Sequence, residues 1–237
     1  MMHVSAIPAF DDNYIWAIQP YDGADAIIVD PGDDQPVREW LRHHDVGINA
    51  ILITHHHWDH TRGLLPLLED YPVAVYGPRI SNIEGVSHPV GHGDRFSLMG
   101  DVTFTVFATP GHTLDHICFY TPGHAFVGDT LFSAGCGRMF EGSPKQFYES
   151  LQCLAELPDV TSVYCAHEYT EANVKFALAA EPTNDALRQY AEQVRALREH
   201  RLKTLPSTIG IEKAINPFLR AKSSEHFAEL RRWKDQF

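Results

Sequence analysis

The sequence has few cysteines and no long hydrophobic stretch. Its 237 residues include four cysteines and no Cys-x-x-Cys pair, which excludes a disulfide-stapled secreted scaffold. No apolar run approaches the ~18–20 residues that a membrane span requires. The first residues lack a basic start followed by an apolar segment, so we expect no secretory signal. These absences together predict a cytoplasmic protein with free thiols and no membrane partner.

Positive charge is also scarce. The chain has 19 Lys and Arg against 31 Asp and Glu, a net charge of −12. This balance excludes nucleic acid as the main partner, because phosphate binding requires a basic surface. The charge is uneven: residues 195–237 hold ten basic and five acidic side chains, whereas the first 194 residues hold nine basic and 26 acidic ones. Such a shift predicts two parts with different roles.

Short apolar runs, rich in Val, Ile and Phe, dominate the chain before residue 168. Runs of this kind, interrupted by Gly, Pro and Asp, are typical of short strands. They predict strands at 26–29, 50–53, 102–107, 116–120, 125–127 and 163–165. Helices are predicted over residues 35–44 and from Ser143 onward, because Ser followed by Pro is a favoured helix start.

The pattern becomes helical in the last third of the chain. Apolar residues recur at spacings of three and four at Leu187, Tyr190, Val194 and Leu197. This spacing predicts an amphipathic helix, and residues 224–233 predict a final one. Strands mixed with helices indicate an α/β architecture in which helices cover the sheets. We expect a catalytic domain over residues 1–168 and a helical domain over residues 169–237.

The strongest chemical signal is the sequence His-His-His-Trp-Asp-His, which begins at His55 and follows a predicted strand. Alternate residues of an extended chain point the same way, so His55 and His57 can bind one ion. Asp59 and His60, where the chain turns into a helix, can bind a second. The same alternation predicts that His56 faces away. Donors at the carboxyl end of a strand are typical of ligand sites in open α/β sheets.

Three further donors follow other predicted strands. His112 lies in Thr-Pro-Gly-His-Thr, Asp129 in Gly-Asp-Thr and His167 in Cys-Ala-His-Glu. Zn, Fe and Mn all suit imidazole and carboxylate donors. The seven donors predict two sets that share Asp129 as a bridge: His55, His57 and His112 for one ion, and Asp59, His60 and His167 for the other.

These motifs, in this order and together with Asp30-Pro31-Gly32, resemble the metallo-β-lactamase superfamily over residues 2–168. The resemblance implies a four-layer αββα sandwich, here followed by a small helical domain. Because that fold hosts many reactions, this resemblance alone does not fix the substrate.

A closer resemblance extends over the whole chain. The runs at 135–142, 166–170, 216–220 and 231–237 resemble the glyoxalase II (hydroxyacylglutathione hydrolase) family. The resemblance implies hydrolysis of S-(2-hydroxyacyl)glutathione, typically S-D-lactoylglutathione to D-lactate and glutathione, the second step of methylglyoxal detoxification. The positions that match the family's glutathione site are Arg138, Tyr169, Arg231 and Lys234.

Two positions depart from that family's pattern. Phe140 stands where some members have Tyr, which removes a hydroxyl contact. Arg62 stands where many members have Gly, just after the ligand block, and this change bears on local packing. Neither departure removes one of the seven donors.

The implied chemistry agrees with the residue types. Two divalent ions, with Zn favoured and Fe or Mn open, would hold a bridging hydroxide as the nucleophile, and Asp59 would orient it. The partner would be a small glutathione thioester, bound by a monomeric enzyme. Arg and Lys side chains would offset the acidic body at the glutathione carboxylates.

Four other functions compete with this one. A mononuclear-iron sulfur dioxygenase of the superfamily would not need His167, Arg231 or Lys234. A metallo-β-lactamase would be exported, and a nuclease would need a basic surface. A non-catalytic metal-binding module would have no need of seven ordered donors, and an assay of thioester hydrolysis separates it from an enzyme.

Overall fold

The computed structural model describes residues 2–100 and 102–237, which form two compact units. The first unit comprises the residues up to 108 and residues 115–121, and the second comprises residues 109–114 and 122–237. Among the described residues, no helix is both long enough and apolar enough to cross a membrane.

A six-stranded mixed sheet organises the first unit. In spatial and sequence order its strands are β1 (His3–Ala9), β2 (Asn13–Gln19), β3 (Ala26–Val29), β4 (Ile48–Leu52), β5 (Ala74–Pro78) and β6 (His88–Val90). The pairs β1–β2 and β2–β3 are antiparallel, and the pairs from β3 to β6 are parallel. Parallel strands point their carboxyl ends to one edge, so the loops after β3 and β4 begin side by side.

Three helices belong to this sheet: α1 (Asp34–His44), α2 (Trp58–Thr61) and α3 (Leu64–Asp70). Helix α1 begins after Asp33, whose side chain accepts a hydrogen bond from the backbone N–H of Gln35. Its buried residues Val37 and Leu41 lie one turn apart and join the core with Ile28 and Ile51. The unit also holds an antiparallel group of strands, β7 (Arg95–Leu98), β8 (Val102–Ala108) and β9 (Ile117–Thr121).

The second unit combines short strands with most of the helices. Its strands are β10 (His124–Gly128), β11 (Leu131–Phe132), β12 (Gly135–Cys136), β13 (Ser162–Cys165) and β14 (Ser207–Thr208). Strands β10 and β13 are parallel, and β13 and β14 are antiparallel. The helices are α4 (Pro144–Ala155), α5 (Thr170–Ala180), α6 (Asp185–Glu199), α7 (Ile209–Ile215) and α8 (Ser224–Lys234).

The structure confirms the elements predicted from the sequence. The six predicted strands are β3, β4, β8, β9, β10 and β13, and the predicted helices are α1, α4, α6 and α8. Ser143 is the N-cap of α4, and its side chain accepts from the N–H of Gln146. The patterns do not predict β1, β5 or β6, because Pro8, Gly77 and Pro89 interrupt runs that pair along the sheet edge or near it.

Helix α6 buries the apolar stripe that its spacing predicts. Leu187 and Val194 are buried, and Tyr190 and Leu197 are half-buried. The stripe packs against α5 and α7 in a cluster that includes Val174, Ala177 and Ile215. The helices of the second unit thus share a core of their own.

Replacing Leu187 tests this cluster. Leu187 is 0% exposed, and a buried Leu→Ala change leaves a cavity as well as losing apolar burial, at a cost of roughly 2–5 kcal/mol. We expect Leu187→Ala to lower the free energy of unfolding, measured by urea titration, by that amount. Leu202→Ala is the control because Leu202 is 54% exposed; it should change the value by less than about 0.5 kcal/mol. Equal effects from the two variants would contradict this packing.

Candidate active site

The four donors of the first unit gather at the carboxyl end of β4. His55 and His60 are buried, and His57 and Asp59 are half-buried. The ring centroid of His55 lies 4.7 Å from that of His57 and 4.1 Å from that of His60. The Oδ2 atom of Asp59 lies 3.6 Å from Nε2 of His60. Within this unit, the predicted ligand block is therefore one compact group.

The carboxylate of Asp30 supports this group through hydrogen bonds. Asp30 follows β3 in a left-handed conformation, with φ of 52°, and is 4% exposed. It accepts hydrogen bonds from the N–H and the hydroxyl of Thr54, both at 2.7 Å, and its Oδ2 lies 3.0 Å from Nδ1 of His60. Nδ1 of His55 lies 3.0 Å from the Thr54 hydroxyl. With Nδ1 of both rings so engaged, Nε2 is the ligand atom that each can offer.

Two other residues place the backbone and side chain of Asp59. A Cβ on Gly32 would lie 1.7 Å from the carbonyl oxygen of Asp59, so only glycine fits there. Asn13, which is 7% exposed, donates from Nδ2 to Oδ2 of Asp59 at 3.1 Å. The Asp-Pro-Gly motif is visible in the sequence, but the role of Asn13 is not, because it lies 46 residues away.

The alternation predicts that His56 faces away from the ligands; in the structure its ring meets that of His57 edge-on, with the centroids 5.0 Å apart. His56 is exposed, and its Nδ1 lies 2.9 Å from Oδ1 of Asp115. His116 is a buried residue that the sequence reasoning missed; its ring stacks on that of His55 at 4.8 Å with an interplanar angle of 26°. The signal that could have found it is its place four residues after His112 in Gly-His-Thr-Leu-Asp-His.

The three donors of the second unit form another buried group. His112, Asp129 and His167 are 4%, 5% and 5% exposed. Oδ2 of Asp129 lies 3.4 Å from Nε2 of His112 and 3.3 Å from Nε2 of His167. Nδ1 of His112 donates to the carbonyl oxygen of Arg138 at 2.8 Å, which again leaves Nε2 as the ligand atom.

Close backbone packing explains the glycine before Arg138. A Cβ on Gly137 would lie 2.0 Å from the carbonyl oxygen of Asp129 and 3.0 Å from Nδ1 of His112. A side chain here would therefore displace two of the three donors.

The four predicted glutathione contacts all belong to the second unit. The guanidinium of Arg138, an exposed residue, lies over the ring of Phe140, 5.5 Å from its centroid. Tyr169 is 37% exposed, and its ring stacks on His167 at 4.7 Å with an interplanar angle of 2°. The structure thus brings one predicted substrate residue directly against a predicted metal ligand.

The other two predicted contacts lie on α8. Lys234 is half-buried and donates to the carbonyl oxygen of Ala172 at 3.3 Å. Desolvation, followed by the charge of Arg231, lowers the pKa of Lys234 from its ordinary value. Arg231 is 6% exposed and donates to the carbonyl oxygens of Cys136 at 3.2 Å and Gly137 at 3.3 Å, and to Asp235. Its guanidinium therefore also fixes the backbone that precedes Arg138.

The two departures from the family pattern are both accommodated. Phe140 is 59% exposed and lies edge-on to His112, with the ring centroids 5.3 Å apart. The guanidinium of Arg62 lies 5.8 Å from the ring centroid of Phe10. Phe10 itself meets Trp58 edge-on at 5.2 Å.

The residues present fit divalent transition-metal ions. All seven predicted donors belong to groups of His and Asp side chains that could hold a metal ion. Three of the five imidazoles have Nδ1 engaged, the usual arrangement for histidines that bind metal through Nε2. Burial raises the pKa of the Cys136 thiol to about 11, and the metal-binding groups found among the described residues consist of His and Asp side chains.

Comparison with known proteins covers the whole chain. The sequence model of the Metallo-beta-lactamase superfamily matches residues 9–167, and that of the Hydroxyacylglutathione hydrolase C-terminus matches residues 168–237. A protein named hydroxyacylglutathione hydrolase from Idiomarina loihiensis is 52% identical over 252 residues, which cover 99% of each chain. One of the same name from Aliivibrio fischeri is 49% identical over 254 residues, 100% of each.

A solved structure agrees with these matches. The crystal structure of ETHE1 from Myxococcus xanthus has a TM-score of 0.74 and 26% sequence identity, and the match covers 98% of this chain and 90% of that one. The predicted α/β sandwich of the metallo-β-lactamase fold, with a helical region after it, is confirmed. The fold and the clustered His and Asp donors imply a pair of divalent metal ions. The chain belongs to the hydroxyacylglutathione hydrolase family of the metallo-β-lactamase superfamily.

Proposed function

We propose that this chain hydrolyses the thioester of S-(2-hydroxyacyl)glutathione, and specifically converts S-D-lactoylglutathione to D-lactate and glutathione. The observation that carries the proposal is the full-length match to relatives of that name at about half identity, including the C-terminal region. The superfamily fold alone would leave the substrate open. The C-terminal region matches a sequence model named for this family, and residues 169–237 are therefore proposed as a domain that contributes to the glutathione site.

We further propose how the seven donors divide between the ions. His55, His57 and His112 would hold one ion, Asp59, His60 and His167 would hold the other, and both ions would share Asp129. Support comes from each unit separately. The first four predicted donors cluster after β4, and His112 and His167 both direct Nε2 at the same oxygen of Asp129. Zn suits this donor set, and so do Fe and Mn.

The chain's own residues supply the orientation that hydrolysis requires. When bound, the ion pair supplies a hydroxide nucleophile near neutral pH and polarises the thioester carbonyl. Asn13 holds Oδ2 of Asp59, so Asp59 is placed to orient the nucleophile. Asp30 fixes the ring of His60 directly and that of His55 through Thr54. The leaving thiol of glutathione has an ordinary pKa of about 8.5, so the reaction requires no dedicated general acid.

The proposed recognition of glutathione rests on cations and one aromatic ring. Arg138, Arg231 and Lys234 would meet the carboxylates of glutathione, and Tyr169 would contact it beside His167. The whole chain has a net charge of −12, which would repel an anion, and these cations would counter it at the site. A small molecule of this kind is the only partner we propose, for a monomeric enzyme in the cytoplasm.

The direct test is turnover by the purified protein. We expect hydrolysis of S-D-lactoylglutathione, which is measured as the loss of thioester absorbance. Elemental analysis of the same preparation should find about two divalent metal ions per chain. Removing the metals with a chelator should abolish turnover, and adding Zn should restore it. A metal-loaded protein that leaves this thioester intact would contradict the proposed function.

Lys234→Ala tests the recognition of glutathione. Losing one charge-assisted hydrogen bond costs roughly 1.5–3 kcal/mol, so KM for S-D-lactoylglutathione should rise on the order of tenfold or more. Because the contact is equal in the ground and transition states, kcat should stay nearly constant. Lys234 is a cleaner target than Arg231, because it donates to one backbone carbonyl group, that of Ala172, whereas Arg231 donates to two and to Asp235.

The matched control is Arg232→Ala, since Arg232 is an exposed cation on the same helix. It should leave KM unchanged. Both variants are also assayed with a small thioester that lacks glutathione, on which Lys234→Ala should behave like the wild type. If Lys234→Ala raises KM equally for both thioesters, or for neither of them, Lys234 does not bind glutathione.

A further inference from the structure

Residues 132–137, which comprise the end of β11, the turn to β12, β12 itself and Gly137, are here called the 132–137 loop; they lie between a proposed bridging ligand and a proposed glutathione contact. Asp129 precedes it and Arg138 follows it. Ala134, inside the loop, has φ of 54°, an uncommon conformation for a residue other than glycine. Such a conformation persists only where the surrounding structure enforces it. The side chains that bind this loop therefore determine its conformation.

Two side chains of α7 and its C-terminus bind the backbone of the 132–137 loop. Nδ2 of Asn216 donates to the carbonyl oxygens of Phe132 at 3.0 Å and Gly135 at 2.8 Å. The N–H of Ala134 donates to Oε2 of Glu212 at 2.9 Å. The N–H of Ala134 and the carbonyl group of Gly135, the next residue, are thus both held by hydrogen bonds.

The two side chains also bind each other and are completely buried. Glu212 and Asn216 are both 0% exposed, and Nδ2 of Asn216 lies 3.0 Å from Oε2 of Glu212. The hydroxyl of Ser133 donates to Oε1 of Glu212 at 2.9 Å. Oδ1 of Asn216 accepts from the N–H of Phe218 at 3.0 Å. A buried carboxylate is costly unless donors satisfy it, and here the loop supplies two of those donors.

The far end of the loop reaches the proposed ligands. The backbone of Gly137 packs so closely on the Asp129 carbonyl group and the His112 ring that a Cβ would not fit. The next carbonyl group, that of Arg138, accepts the hydrogen bond from Nδ1 of His112 at 2.8 Å. A shift of the loop would therefore misplace the acceptor that fixes the His112 ring and its tautomer.

We propose that Glu212 and Asn216 are positioning residues for the metal centre. They act through the 132–137 loop, which they hold so that the Arg138 carbonyl group orients His112 and the Gly137 backbone abuts Asp129. Neither residue is one of the seven proposed metal ligands or the four proposed glutathione contacts. The inference rests on the proposed function for its link to catalysis, but its link to metal binding can be measured without any substrate.

The test is the metal affinity of Asn216→Asp. This variant keeps the size of the side chain and the acceptor for Phe218, but it has no amide hydrogens for the Phe132 and Gly135 carbonyl groups. Disturbing a group that orients a metal-bound His typically costs about 10–100-fold in metal affinity or activity. By competition with a chromophoric chelator, we expect the dissociation constant of the more weakly held Zn ion to rise at least tenfold. The spectrum of the Co-substituted variant should also change.

The matched control is Asn184→Ala. Asn184 lies in the same helical region, caps α6 and donates to the carbonyl oxygen of Ala214 at 2.9 Å, so its loss should lower Tm without touching the loop. Its metal affinity and Co spectrum should equal those of the wild type. Glu212→Gln is the second variant, measured in the same way should Asn216→Asp not fold. In this variant an amide NH2 replaces one of the two carboxylate oxygens that accept from the Ser133 hydroxyl and the Ala134 N–H. The variant should therefore also bind metal at least tenfold more weakly.

The proposal is overturned if a folded Asn216→Asp or Glu212→Gln binds Zn as tightly as the wild type with an unchanged Co spectrum. It is equally overturned if Asn184→Ala weakens metal binding to the same extent, because the effect would then follow from stability alone. Since neither readout uses S-D-lactoylglutathione, a failure of the proposed thioesterase activity would leave this test intact.

Discussion

Buried carboxylates that bind imidazoles are the constraint on which the candidate site depends. Asp30 is almost completely buried and binds Thr54 and His60, while Asp129 is buried with His112 and His167 on one oxygen. Removing a carboxylate from water is costly unless charge or hydrogen bonds compensate. Asp30 is compensated by protein donors alone. Asp129 lies against two imidazoles, and in the proposed site the ion pair would add positive charge beside it.

The helical region, which is proposed to bind substrate, also binds the backbone near the proposed metal ligands. Arg231, Glu212 and Asn216 all donate to, or accept from, the backbone that leads to Arg138. Glu168, next to His167, accepts from both the N–H and the hydroxyl of Thr204. The helical region thus binds the 132–137 loop, which follows Asp129, and the residue next to His167. This arrangement gives a physical reason why a domain that recognises glutathione would also affect the metal centre.

Much of the site could be predicted from the sequence because its donors follow strands. The block that begins at His55, and the single residues His112, Asp129 and His167, each stand just past a run whose composition predicts a strand, and the structure groups them within each unit. The exposed position of His56 followed from alternation alone.

The supporting contacts could not be predicted, because they join residues far apart in the chain. Asn13 and Asp59 are 46 residues apart, and Glu212 and Ala134 are 78 apart. No periodicity links such pairs. For Arg231 the sequence shows the charge, but it does not show which carbonyl groups the guanidinium binds.

In the proposed site Asp129 is shared by two ions that the other six donors would hold, and this sharing can be observed. It is tested most directly by a crystal structure of the metal-loaded protein, with an anomalous difference map at the absorption edge of the bound metal. We expect two peaks about 3.5–4 Å apart, both in contact with the carboxylate of Asp129. A single peak, or two peaks of which only one contacts Asp129, would contradict it.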